Sequence, residues 1–246
     1  MSIKSMWPAL AAALICPMLC AQRLSDLTAP APLPPGSTLV IGFLGGFERW
    51  DDDHRSVRQL TLKLRARQGV YAESISNRRR KVALELIRRA LDTNQDGNLD
   101  PEERARARVI LFGQSWGGAA ALATARDLDQ LGIPVLLTVQ VDSVGLHDQV
   151  VPANVRAAVN FYQHDPLTIQ GRAHIRAADP AKTRILGNFG ASYFLRPVDE
   201  TNASWARRTF GGSHAKMELD PIIWSQVEQY ISGAIARRYR DPNDPS

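Results

Sequence analysis

The stretch Val109-Ile110-Leu111-Phe112-Gly113-Gln114-Ser115-Trp116-Gly117-Gly118 narrows the possible folds more than any other part of this chain. A short apolar run at strand length passes directly into Gly-x-Ser-x-Gly, and the glycines open an alanine-rich helical pattern with Ala119, Ala120, Ala121, Ala123 and Ala125. A strand-to-helix turn this tight leaves no room for side chains at Gly113 and Gly117, where strand and helix meet their neighbours. It also forces Ser115, at the tip, into a strained backbone conformation. The serine hydroxyl then sits at the positive end of a helix, which favours negative charge on it.

The surrounding sequence alternates in the same way. Thr38–Leu44, Val70–Ile75, Val109–Phe112, Pro134–Val141 and Val155–Tyr162 read as strands. Between and after them, Ser56–Arg67, Arg78–Leu91, Gly117–Leu131 and Ile222–Tyr239 read as helices, the first with Val57, Leu60, Leu62 and Leu64 on one face. Short, nearly all-apolar strands separated by helices predict an α/β fold, a mostly parallel sheet flanked by helices. At 246 residues, without internal repeats, the expectation is one domain over 38–240 and a short tail over 241–246. The stretch from Pro166 to Gly212 has to supply one further strand, and its Tyr193, Phe194 and Trp205 suit core packing as well as substrate contact.

The first residues differ in kind. Lys4 precedes an apolar run from Trp7 to Leu19 that is short for a membrane span, so 1–21 reads as a signal peptide cut after Ala21. Cys20 lacks the small preceding residue that lipidation favours. The expected product is secreted or periplasmic, with no stable membrane anchor. Both cysteines, Cys16 and Cys20, leave with that segment, so the mature chain carries no thiol chemistry. Residues 22–37 form a proline-rich lead-in ahead of the domain. The formal charge of +5 comes from scattered basic residues. The densest run, Arg78-Arg79-Arg80-Lys81, opens a helix without any aromatic platform and reads as a solvated face, so no nucleic-acid partner is expected. Nothing in the sequence speaks to oligomeric state.

The strand, Gly113-Gln114-Ser115-Trp116-Gly117 and the helix after it resemble the nucleophile elbow of the α/β-hydrolase fold, on its lipase and esterase side. The resemblance implies Ser115 as nucleophile, followed in chain order by an acid and a histidine. His214, in Gly211-Gly212-Ser213-His214 just before the last helix, occupies the place of the base, whereas His54 precedes the serine and is out of order. Two aspartates compete for the acid. Asp142 ends a predicted strand within Val141-Asp142-Ser143-Val144, similar to the acid loop of some secreted lipases except that Ser143 stands where proline is usual. Asp165 is the alternative. For the oxyanion, the resemblance implies the backbone N–H of Trp116 and one from Gly46 or Phe47 in Phe43-Leu44-Gly45-Gly46-Phe47.

A second motif runs from Asp92 to Glu103. Counted from Asp92, oxygen-bearing side chains fall at positions 1, 3, 5, 9 and 12 (Asp92, Asn94, Asp96, Asp100, Glu103). Gly97 takes position 6, Asn98 position 7 with its carbonyl, and Leu99 the apolar position 8. That is the order of an EF-hand calcium loop, here an insertion spanning about 79–108. The expected cofactor is calcium in a structural part, bracing the strand that delivers Ser115. The reading that follows is a secreted hydrolase of small-molecule or lipid esters. The alternative is a non-catalytic secreted calcium-binding module on a hydrolase scaffold.

Overall fold

The computed structural model describes residues 22–165, 169–199, 201 and 212–236. The proposed leader 1–21, Trp205, and the end of the last predicted helix beyond Ala236 lie outside them. The strands are β1 (Thr38–Leu44), β2 (Val70–Ser76), β3 (Val109–Gln114), β4 (Leu137–Val141), β5 (Val150–Val151), β6 (Ala157–Gln163), β7 (Arg176–Ala177) and β8 (Arg184–Ala191). The helices are α1 (Ser56–Arg65), α2 (Arg80–Leu91), α3 (Pro101–Ala105), α4 (Trp116–Gln130), α5 (Gly212–Leu219) and α6 (Pro221–Ala236). Six strands form one sheet in the order β2-β1-β3-β4-β6-β8, every pair parallel, while β5 and β7 pair apart from it.

The continuous apolar runs arise because this sheet is covered on both faces. Along β1, Leu39, Ile41 and Phe43 point toward the layer of α2 and α4, while Val40 and Leu44 point toward α1 and α6. The same split divides Val109 and Leu111 of β3 from Ile110 and Phe112. A period of two still governs these strands, but both phases are apolar, so the sequence shows no alternation.

Several expectations shift. The strand expected from Pro134 begins at Leu137, with Val135 held in an isolated bridge to Val155. The helix expected from Arg78 begins at Arg80, after a tight turn over Asn77–Arg79. Within the insertion, the helix after the loop is short, Pro101–Ala105. The missing strand within Pro166–Gly212 is β8. The proline-rich lead-in is packed onto the domain instead of standing off from it. Buried Glu73 accepts from the Thr28 N–H, the Thr28 hydroxyl and the Ala29 N–H at 2.7, 2.8 and 2.8 Å, and Leu24, Leu27 and Leu33 pack against the core. Among the described residues no helix is long and apolar enough to cross a membrane.

Candidate active site at the carboxyl ends of the strands

The turn between β3 and α4 has the geometry its glycines require. A Cβ on Gly117 would overlap the Phe43 carbonyl of β1, and one on Gly113 would overlap the backbone of Gly117. Ser115 takes φ 56° and ψ −125°, a conformation that costs a non-glycine residue about 1–3 kcal/mol and persists only where its surroundings impose it. Here its N–H donates to the Val141 carbonyl at 2.9 Å, and its carbonyl accepts from Gly118 and Val144 at 3.0 and 3.2 Å. The elbow is thereby fixed to the end of β4.

Asp142 is the next residue after β4. It also has positive φ, 43°, is fully buried, and donates its N–H to the Phe161 carbonyl of β6 at 2.7 Å. Its carboxylate accepts from His214 Nδ1 at 2.6 Å and from the Gly171 N–H at 2.8 Å. His214 Nε2 lies 2.9 Å from Ser115 Oγ. Because a carboxylate only accepts, Nδ1 carries the proton and Nε2 turns its lone pair toward the serine hydroxyl. The side-chain amide nitrogen of Gln114 lies 3.4 Å from the same Nε2. Ser115, His214 and Asp142 thus form one line of hydrogen bonds. The sequence set His214 just before the last helix, and it belongs to the first turn of α5, a separate helix before α6.

Asp165 is elsewhere. Its carboxylate accepts from the Ser192 hydroxyl (2.5 Å), the Tyr193 N–H (2.5 Å) and the Ser213 hydroxyl (2.6 Å). Burial works against its charge, but the Ser192 and Ser213 hydroxyls and the Tyr193 amide outweigh it and hold its pKa below the ordinary aspartate value. It ties the end of β8 to the residue before His214.

The loop after β1 lies against Ser115: a Cβ on Gly45 would stand 3.3 Å from that of Ser115. Asn77 donates to the carbonyls of Leu44 (2.9 Å) and Gly46 (2.7 Å), and the Gly45 N–H is taken by Glu48 Oε2 at 3.1 Å. Gly46 has φ 44°, and exposed Phe47 meets Trp116 edge to face at 5.5 Å. The expected oxyanion residues Gly46, Phe47 and Trp116 therefore lie together beside Ser115.

Several supporting groups were not singled out from the sequence. Fully buried Asp148 accepts from Ser143 Oγ (2.7 Å) and Arg172 Nε (2.9 Å), while the Arg172 N–H donates to the Ser143 carbonyl at 2.9 Å. This clasp presses the 169–175 segment onto the Asp142 turn, where Gly171 comes so close that a Cβ would overlap the Asp142 backbone. No local pattern in the sequence marks such partners.

The loop from Asp92 to Glu103 has the oxygen chemistry of a calcium site, with its carboxylates turned to the loop's own donors. Asp92 accepts from the Asp96 and Gly97 amides at 3.2 and 2.9 Å, and Asp96 accepts from the Asn98 amide at 2.8 Å. Glu103 receives the Thr93 amide and hydroxyl (2.7 and 2.8 Å), the Asn94 amide (3.3 Å) and the Asp100 amide (3.1 Å). The Thr93 hydroxyl and these amides hold its pKa below the ordinary glutamate value. Asp100 in turn accepts from the Glu103 amide at 2.8 Å, so the two residues form a capping box for α3. Among the described residues no three acidic or histidine side chains gather as a metal group.

A cavity of about 1480 Å³ lies at the amino ends of the strands among Leu33, Arg108, Leu137, Arg156 and Tyr230, away from Ser115.

The parallel sheet, the serine elbow after β3 and the acid and histidine beyond later strands define an α/β-hydrolase architecture. No family model matches the chain, and no curated protein matches it. Among solved structures it is similar to a dienelactone hydrolase from Anabaena variabilis, with 14% identity, a TM-score of 0.39, and 81% of this chain and 86% of that one covered. It is also similar to human thioesterase 2, with 12% identity, a TM-score of 0.40, and 81% and 96% covered.

Proposed function

We propose that this protein is a serine hydrolase of carboxylic esters in which Ser115 is the nucleophile, His214 the base and Asp142 the group that orients it. The carrying observation is the unbroken line from Ser115 Oγ to His214 Nε2 at 2.9 Å and from Nδ1 to buried Asp142 at 2.6 Å. His214 takes the serine proton as the oxygen attacks the ester carbon, and the buried Asp142 carboxylate stabilises the imidazolium that forms. The oxyanion of the tetrahedral intermediate is received by the N–H of Trp116 with that of Gly46 or Phe47. The proton on His214 then passes to the leaving alcohol, and water repeats the cycle on the acyl-enzyme.

A fluorophosphonate probe tests this directly. Wild type should be labelled on Ser115 and should hydrolyse short p-nitrophenyl esters. Ser115→Ala should lose both, with turnover down by about 10⁶, the scale for a lost serine nucleophile, and an unchanged unfolding midpoint. An unlabelled, inert wild type would favour the binding-module reading.

Two parts of the proposal rest on residue order. Calcium at Asp92, Asn94, Asp96, Asn98, Asp100 and Glu103 would brace the approach to β3, and it requires Glu103 to release the donors it now holds. Export rests on residues 1–21 and is checked by sequencing the amino terminus of protein recovered outside the cytoplasm.

A further inference from the structure

Arg78 belongs to the basic run that the sequence assigned to a solvated helix face. It precedes α2, in the tight turn after β2 whose Asn77 holds the carbonyls of Leu44 and Gly46. Its guanidinium lies over the Phe47 ring, 4.9 Å from the centroid, and the other side of this small stack is the contact between Phe47 and Trp116. Trp116 directly follows Ser115. The guanidinium is thus placed one aromatic ring away from the residue beside the nucleophile.

Its charge has no acidic partner among the described residues. The acids of the neighbouring loop are all engaged: Glu48 accepts from the Gly45 N–H at 3.1 Å and faces Arg55 at 3.9 Å, and Asp51 pairs with Arg49, Asp52 with Arg55 and Asp53 with Arg58, at 2.8, 2.8 and 3.1 Å. Two positions further on, Arg80 pairs with Asp127 at 2.8 Å, so the run divides between a structural cation and an uncommitted one. A guanidinium stacked on a ring uses its face and keeps its edge, the fork of N–H donors that matches a carboxylate or phosphate.

The apolar side of the same mouth is as distinctive. Exposed Phe47, Trp116, Leu146, Ile169, Phe194 and Leu195 all follow the carboxyl ends of main-sheet strands, the end of the sheet at which Ser115 lies. Resting on the hydrolase reading above, we propose that the site takes esters whose apolar body ends in an anionic group, and that Arg78 holds this anion.

Paired esters test it. p-Nitrophenyl hemiglutarate is compared with the valerate for an anion on the acyl side, and 4-acetoxybenzoate with phenyl acetate for one on the alcohol side. Wild type should favour the charged member of at least one pair in kcat/KM by about tenfold, equivalent to about 1.4 kcal/mol, and the preference should shrink at high salt. Arg78→Met should abolish the preference while the neutral ester keeps its rate, and Arg78→Lys should restore part of it. No preference in either pair, or an equal loss on charged and neutral esters in Arg78→Met, would overturn the proposal while leaving the serine mechanism standing. Failure to hydrolyse any ester, with no phosphonate labelling, would sink both.

Discussion

At the scale of single residues, the two aspartates separate by what they touch. Asp142 faces the imidazole, and Asp165 faces two hydroxyls and an amide. Asp142→Asn should reduce ester turnover by about 10⁴ with the fold retained, because the amide no longer enforces the productive tautomer. Asp165→Asn should act first on stability, since its amide nitrogen cannot accept from Tyr193 and Ser213, and should lower the unfolding midpoint by roughly a few degrees. Because its folded-state pKa is depressed, Asp165 contributes stability at pH values above about 4, and this is lost as pH falls through the lowered value. The midpoint gap between wild type and Asp165→Asn should therefore be full at neutral pH and close in acid. Equal turnover losses in the two variants would remove the distinction. The sequence favoured Asp142 only by its place at a strand tip and the likeness of its loop, since Asp165 also follows a strand and the partners that separate the two lie up to 72 residues away.

At the scale of elements, the site is assembled from segments that parallel strands deliver to one end, and one strap locks them. Arg172 and buried Asp148 clamp the 169–175 segment over the turn that carries Asp142, with the Gly171 amide on the carboxylate itself. Arg172→Met removes the clamp without touching Ser115 or His214. A shift of about an ångström in a catalytic group can cost on the order of 10²-fold, so kcat should fall by roughly 10 to 100-fold while KM changes little. An unchanged kcat, or a loss entirely in KM, would show that the strap shapes binding and leaves Asp142 alone. The elbow was legible because its glycines are demanded by contacts within a few residues and one adjacent strand. The helix that carries His214, α5, was not, since Gly211-Gly212 signals a break and the helix that starts at Gly212 has little apolar periodicity of its own. The clasp was invisible because Asp148 and Arg172, in isolation, are ordinary surface residue types.

At the scale of the whole molecule, the remaining question is whether the 92–103 loop stabilises the domain through an ion or through its own hydrogen bonds. Glu103 is the point of competition: buried, it caps α3 and holds the start of the loop at Thr93 and Asn94. Calcium in the millimolar range can fill a weak extracellular site, and an ion bound only to the folded state at roughly 100 times its Kd stabilises by about 2.7 kcal/mol. In a domain of this size that would raise the unfolding midpoint by roughly 5–10 °C over a chelated sample. Two substitutions separate the sources. Asp96→Asn keeps an acceptor for the Asn98 amide but removes a ligand charge, so it should leave the chelated midpoint unchanged and weaken the calcium response. Glu103→Ala should lower the midpoint even in chelator, because the Thr93, Asn94 and Asp100 donors lose their acceptor, and should abolish the response as well. Identical melting of wild type with and without calcium would make the loop a hydrogen-bonded turn, with Glu103 acting solely as a cap, and would remove calcium from the description of this protein.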